Sequence, residues 1–394
     1  MKRFGISKIK IALLTVFALF INSTFANNPV KPKDLNGSWK ILQKAQSAFD
    51  RADYSSAMSL VTECLAQRKI EVEYIDFRLA NSLKPYQVRR VGDAIDDVVA
   101  ILNERQEYET VSIINKWVKL FGKDFFEDSI QKLKEYLLSR IDYPEAYFLI
   151  AKIYKIEGEF NMALKYLEKA WETASLLEIP SQVNEILYEK ADIAEYNGQV
   201  VENEKALLII AEKSGRFKDK NLQNAILRTS RSTKEDNSSR FFMLYRIDAP
   251  TTLKAFTKLS DIYIKSKQYE KAYISNAYAV LIAFTHINSI LEERESDYSY
   301  ENLDQFFKEI ERYPDILRWC NENGFWQSFY NLYDYGIKMK FTKFPVDIAK
   351  VLSKSCPNKY FKNAAKTQVD KINSHKEIVF PDVDAVDNLP EIED

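Results

Sequence analysis

Turn-forming residues are scarce in this 394-residue chain: 9 glycines and 11 prolines, against usages of roughly 7% and 5% in average proteins. Sheet-rich folds need a turn residue every few positions, so this shortage, with 13% aromatic and 29% charged residues, predicts a nearly all-helical chain. The nearest two glycines are Gly324 and Gly336, so neither G-x-G-x-x-G nor G-x-x-x-x-G-K-[ST] can be written anywhere. That excludes phosphate loops of the Rossmann and Walker kinds. Histidine occurs only as His286 and His375, which rules out H-E-x-x-H and every other His-pair metal spacing. No catalytic residue, cofactor or metal is expected. The cysteines, Cys64, Cys320 and Cys356, are an odd set that makes no disulfide framework. Cys320 and Cys356 either bridge or stay as buried thiols, and the sequence leaves both open.

What is present begins at the N-terminus. Lys2, Arg3, Lys8 and Lys10 precede an apolar or small run from Ile11 to Ile21, and Thr24-Phe25-Ala26 offers small residues at a cleavage site. Residues 1–26 therefore read as a signal peptide cleaved near Ala26, with the mature chain exported to the periplasm or outside the cell. The run is shorter than the about 20 residues a membrane span needs, and no later segment reads as apolar enough to cross. The mature chain carries 52 basic against 57 acidic residues, so no basic surplus drives nucleic-acid binding.

Hydrophobic spacing organises the rest. Tyr147, Ile150, Ala151, Tyr154, Gly158, Phe160, Ala163, Leu167 and Ala170 fit two short amphipathic helices joined by a turn at Gly158, with Ala151 and Ala163 as the small residues of a close crossing. This stretch resembles a tetratricopeptide repeat. Phe256, Leu259, Ser260, Tyr263, Tyr269, Ala272 and Ala279 keep the same offsets, with Lys267 at the turn. Weaker copies stand at Ile41 to Cys64, at Ile95 to Val118, and at Leu187 to Leu207, the last with Asn203 where alanine is expected. The anchors Ala57, Val111, Ala163, Asn203 and Ala272 are 54, 52, 40 and 69 apart, so extra helices are expected between repeats, among them Glu73–Leu83 and Phe125–Arg140.

The resemblance implies an all-α, right-handed superhelical array of antiparallel helix pairs, with a mid-chain loop and extra C-terminal helices. The expected organisation is a leader at 27–37, an N-terminal array at 38–213, a polar loop at 214–250, a C-terminal unit at 251–356 and a tail at 357–394, acidic and disordered from about 377. It also implies a non-enzymatic protein or peptide binder. In such repeats the concave groove is lined by outward positions of each first helix, here Glu145, Phe148, Lys152, Lys155 and Ile156, then Lys254, Thr257, Asp261, Ile264 and Lys265.

Two other readings compete. Trp319, Phe325, Trp326, Phe329, Tyr330, Tyr333 and Tyr335 would form a glycan or small-molecule platform if exposed, although Trp326, Phe329, Tyr330 and Tyr333 share one helical face as a core stripe does. Glu295-Ser296 and Glu195-Tyr196-Asn197-Gly198 faintly resemble motifs of lytic transglycosylases. They stand in the wrong chain order, and the second fits an inter-helix turn better.

Overall fold

The computed structural model describes residues 29–82, 91–126, 129–234 and 237–374. The expected signal peptide, the acidic tail and His375 lie outside the described residues. Among those described, every regular element is helical and none is a strand. The architecture is an all-α array of helix pairs of the tetratricopeptide kind. It divides into two compact units, Met1–Pro180 and Ser181–Asp394, and not at the polar stretch expected to part the chain.

The first unit comprises α1 (Gly37–Asp50), α2 (Tyr54–Ser82), α3 (Val91–Glu104), α4 (Tyr108–Phe121), a 3-10 turn at Lys123–Phe126, α5 (Ile130–Ser139), α6 (Pro144–Ile156) and α7 (Phe160–Glu172). Glu73 onward is not a separate interposed helix. It continues α2, whose 29 residues span about 44 Å at 1.5 Å each. That length gives the unit two cores. Ala57, Val61 and Cys64 of α2 pack with Ala45 and Ala48 of α1 and with Ala146, Leu149, Ile150 and Ile153 of α6. Ile75 and Leu79, further along α2, pack with Ile95, Val98, Ile101 and Leu102 of α3, Ile114 of α4 and Leu137 of α5. The first pair thus neighbours the α6/α7 pair directly, and α3/α4 with α5 gathers on the far half of α2.

The second unit comprises α8 (Gln182–Tyr196), α9 (Val200–Ala211), α10 (Lys220–Arg231), α11 (Asn237–Leu244), α12 (Leu253–Lys265), α13 (Tyr269–Arg294), α14 (Leu303–Arg312), α15 (Pro314–Glu322), α16 (Phe325–Lys338), α17 (Lys343–Ser355) and α18 (Lys359–Ser374). The polar loop expected at 214–250 is mostly helix. Asp219 caps α10 by accepting the Leu222 N–H at 3.1 Å, and Leu222, Ile226 and Leu227 bury one face. α11 is anchored by Phe241 and Phe242, whose rings lie 5.2 Å from Phe344 and 5.1 Å from Phe329. The expected tail at 357–394 likewise opens as helix, since α18 packs on α17 and Phe361 lies 6.1 Å from Tyr330. Among the described residues one helix does meet the length and hydropathy of a membrane span, contrary to the sequence reading. It is α13, and 78% of its apolar window is buried among its neighbours, as in a core helix.

Six inter-helix turns share one solution. Ala52, Gln106, Gly158, Gly198, Lys267 and Lys340 have φ of 62°, 65°, 79°, 70°, 59° and 59°, and the next residue donates its N–H five positions back, as in Glu159 to Tyr154 O at 2.9 Å and Gln268 to Tyr263 O at 2.8 Å. This Schellman closure satisfies the last carbonyls of the first helix, and the left-handed residue is favourable as glycine. Four of the six are not glycine, and each carries a conformational penalty of about 1 kcal/mol. Lys267 is exposed, so Lys267→Gly is expected to raise stability by about 0.5–1 kcal/mol in urea denaturation. A loss of stability would show that the lysine side chain contributes more than its backbone costs.

Candidate functional site

α6 turns Leu149, Ile150, Ala151 and Ile153 into the unit, which leaves Lys152 and Lys155 half-buried and Ile156 exposed. Lys152 Nζ lies 4.1 Å from the Phe148 ring centroid, which holds its methylenes along the helix. Phe148 itself is buried, a correction to its assignment as a groove contact. A benzyl side chain that is 4% exposed gains more from packing than from display.

Glu145 is committed to structure as well. Its Oε1 accepts the Glu178 N–H at 2.6 Å, and its buried Oε2 has no partner. Desolvation pushes the carboxyl above its ordinary range, against the backbone hydrogen bond from Glu178. The folded chain therefore holds this proton at pH values where the unfolded chain, near 4.5, has released it. The associated stability is present below 4.5 and is lost as pH rises through the folded value. Glu145→Gln is expected to flatten that fall, gaining on the parent protein between pH 4 and pH 7 in chemical denaturation. Parallel profiles would remove Glu145 as the titrating group.

α12 presents the second set. Lys254 is exposed with Nζ 4.8 Å from the Tyr188 ring centroid, Thr257 Oγ1 donates to Leu253 O at 3.1 Å, Asp261 and Lys265 are exposed and Ile264 is half-buried. Partial desolvation raises the Asp261 carboxyl, with Lys265 opposing. Lys265 lines a cavity of about 320 Å³ with Glu195, Gly198, Val200, Asn203, Ile262 and Ser266. Asn203 is the residue that breaks the repeat pattern. It is 3% exposed, and its Oδ1 has no partner, so a carboxamide stands at this wall in place of a methyl. The α6 and α12 sets belong to different units, and each is assembled on its own helix.

The aromatic platform is not formed. Trp326 is 1% exposed and packs edge-on against Phe307 at 5.3 Å, while Phe325, Phe329 and Tyr335 are buried with it. His286 lies against Trp319 at 5.0 Å between centroids. Glu295 pairs with Arg312 at 2.6 Å and accepts from Tyr313, and Tyr196-Asn197-Gly198 is the turn between α8 and α9. All three cysteines are free and buried. Burial pushes Cys64 and Cys356 up to about 12 and raises Cys320 as well, which leaves them as thiols.

A surface the sequence did not single out lies on α4 and the turn after it. Trp117, Phe121 and Phe125 stack at 5.0–5.7 Å while exposed by 44%, 56% and 48%, and Leu120 beside them is 74% exposed. The same helix lines a shallow cavity of about 420 Å³ with Tyr108, Ser112, Asn115, Lys116 and Lys119. The i, i+4, i+7, i+8 spacing of this surface from Ile113 matches a core face, so only its exposure among the described residues reveals it.

Helix pairs closed by a shared turn form an all-α array like that of tetratricopeptide repeats. Residues 144–174, the α6/α7 pair, match the tetratricopeptide repeat family. The chain is similar to an uncharacterised protein of Treponema pallidum (strain Nichols), 27% identical over 323 residues that cover 81% of this chain and 86% of that protein. It is also similar to an uncharacterised protein of Borreliella burgdorferi, 25% identical over 231 residues that cover 54% of this chain and 71% of that protein.

Proposed function

We propose that this protein is an exported, non-enzymatic interaction module that binds a peptide or protein segment along the outward faces of its first helices. The observation that carries the reading is the α12 surface, where Lys254, Asp261 and Lys265 are exposed and the Lys265 cavity opens beside Asn203. A mixed array of charges next to an apolar-lined recess suits a segment bearing both polar backbone and side-chain groups. Lys152, Lys155 and Ile156 form the corresponding face of α6.

Affinity capture followed by mass spectrometry tests it. The unaltered protein is expected to enrich a defined partner set, and Lys265→Glu combined with Lys152→Glu is expected to lose it while the circular dichroism spectrum is retained. Unchanged capture by the charge-reversed protein would refute this surface. Export rests on residues 1–26, and mass spectrometry of the mature protein is expected to find Asn27 as its first residue.

A further inference from the structure

A second cavity, of about 300 Å³, lies in the first unit, lined by Asn36, Trp39, Arg105, Gln106, Glu107, Arg140 and Glu178. Three different elements bring its walls together: the start of α1, the left-handed turn at Gln106 between α3 and α4, and Arg140 at the C-terminal end of α5. Arg105 is 4% exposed and lines the recess, and its Nη1 has no hydrogen-bond partner. Arg140 donates Nη1 to Leu176 O at 3.2 Å, and its Nε is likewise buried without a partner. Arg68, 2% exposed and 4.0 Å over the Tyr143 ring, leaves Nε and Nη1 unpartnered.

Two acids stand on the wall, Glu107 and the exposed Glu178, and neither bonds the unpartnered guanidinium N–H groups. Glu107 is already engaged at both oxygens, by Arg105 Nε at 2.9 Å and by the Tyr136 hydroxyl at 3.1 Å. Burial depresses the Arg105 pKa and the neighbouring Arg68 and Arg140 charges add to this, while Glu107 opposes it, so the guanidinium groups stand close enough to repel one another. A buried cation is tolerated when it is paired and hydrogen-bonded, and guanidinium N–H groups match the oxygens of a carboxylate or phosphate.

We propose that this cavity is an oxyanion-binding site in which Arg105 and Arg140 hold a carboxylate or phosphate group and Arg68 supplies positive charge behind them. The half-buried Trp39 forms an apolar wall for whatever bears the anion, and the Asn36 and Gln106 carboxamides stand beside it. The volume suits a small group or the end of a longer molecule. The assignment is independent of the α12 peptide surface, since it uses none of those residues.

Isothermal titration calorimetry on the full chain tests it, with inorganic phosphate in one arm, acetate in another, and sodium chloride at matched ionic strength as the reference. Saturable binding of phosphate or of acetate is expected, and the arm that responds identifies the source. Arg140→Gln, at a half-buried position, is expected to weaken that binding at least about 10-fold, the loss of one charged hydrogen-bonding group. Arg105→Gln should weaken it further where the variant folds, and Lys116→Gln on α4 should leave it unchanged. Absence of saturable binding in both arms would overturn the proposal, as would binding that survives Arg140→Gln intact.

Discussion

Ala163→Arg is expected to destabilise the first unit by at least about 3 kcal/mol, measured by urea denaturation with loss of near-ultraviolet circular dichroism. Ala163 is wholly buried on α7, and its N–H donates to Glu159 O at 3.0 Å in the first bond after the α6/α7 turn. Ala151 on α6 and Ala170, two turns further along the same face of α7, are buried too, while Tyr154 and Tyr166 stack between the two helices at 5.8 Å. An arginine here has no space and no counter-charge. Either the guanidinium is buried unpaired or the pair is forced apart, and both outcomes remove packing that α6 shares with α1 and α2. Ala163→Ser, nearly the same size, is expected to cost only about 1 kcal/mol, so the contrast separates steric and charge effects from the loss of the alanine itself. A loss below about 1 kcal/mol for arginine would mean that the crossing is not close-packed.

Trp326→Ala is expected to cost about 3–5 kcal/mol in the second unit. The indole is enclosed by Phe307 at 5.3 Å and Phe325 at 5.0 Å, and these belong to a wider set in which Phe242, Phe284, Phe306 and Phe329 touch ring to ring at 4.6–5.3 Å. Removing it leaves a cavity that close-packed rings cannot collapse to fill. Trp326→Phe should be much milder, by about 2 kcal/mol or more, because the indole N–H is buried without a partner and its removal breaks no hydrogen bond. Equal losses for the two variants would show that the N–H, and not the ring volume, is what this site requires. Fluorescence of the remaining tryptophans against urea concentration reads both variants.

The helix pairs themselves were legible because their signals are local. The left-handed turn residue and the small or apolar residue five positions later, Ala52 with Ala57, Gln106 with Val111, Gly158 with Ala163, Gly198 with Asn203 and Lys267 with Ala272, lie within one turn of each other in the chain. Asn203 is instructive, since it departs from the pattern and is still buried at its place. The turn geometry, and not the single side chain, sets the register. α10 was hidden in a run rich in serine, threonine and charge although Leu222, Ile226 and Leu227 were spaced for a helix, and α11 depends on Phe241 and Phe242 meeting Phe344 and Phe329 about 90–100 residues away.

By itself the sequence determined the helical class, the repeated pair and its turns, and the absence of phosphate loops and His-pair metal spacings, all of which follow from residue types at fixed short spacing. Only tertiary structure decided which apolar faces are covered. Trp117 and Trp326 both sit on amphipathic helical stripes, yet one is exposed and the other enclosed, because α14 and the long α13 supply rings to α16 while nothing among the described residues covers that face of α4. The convergence of Arg68, Arg105 and Arg140 has the same origin. They stand 37 and 35 residues apart, on α2, the α3/α4 turn and the end of α5, and no local periodicity links them. Their meeting is a consequence of one long helix carrying two cores, a property of packing that spacing along the chain does not encode.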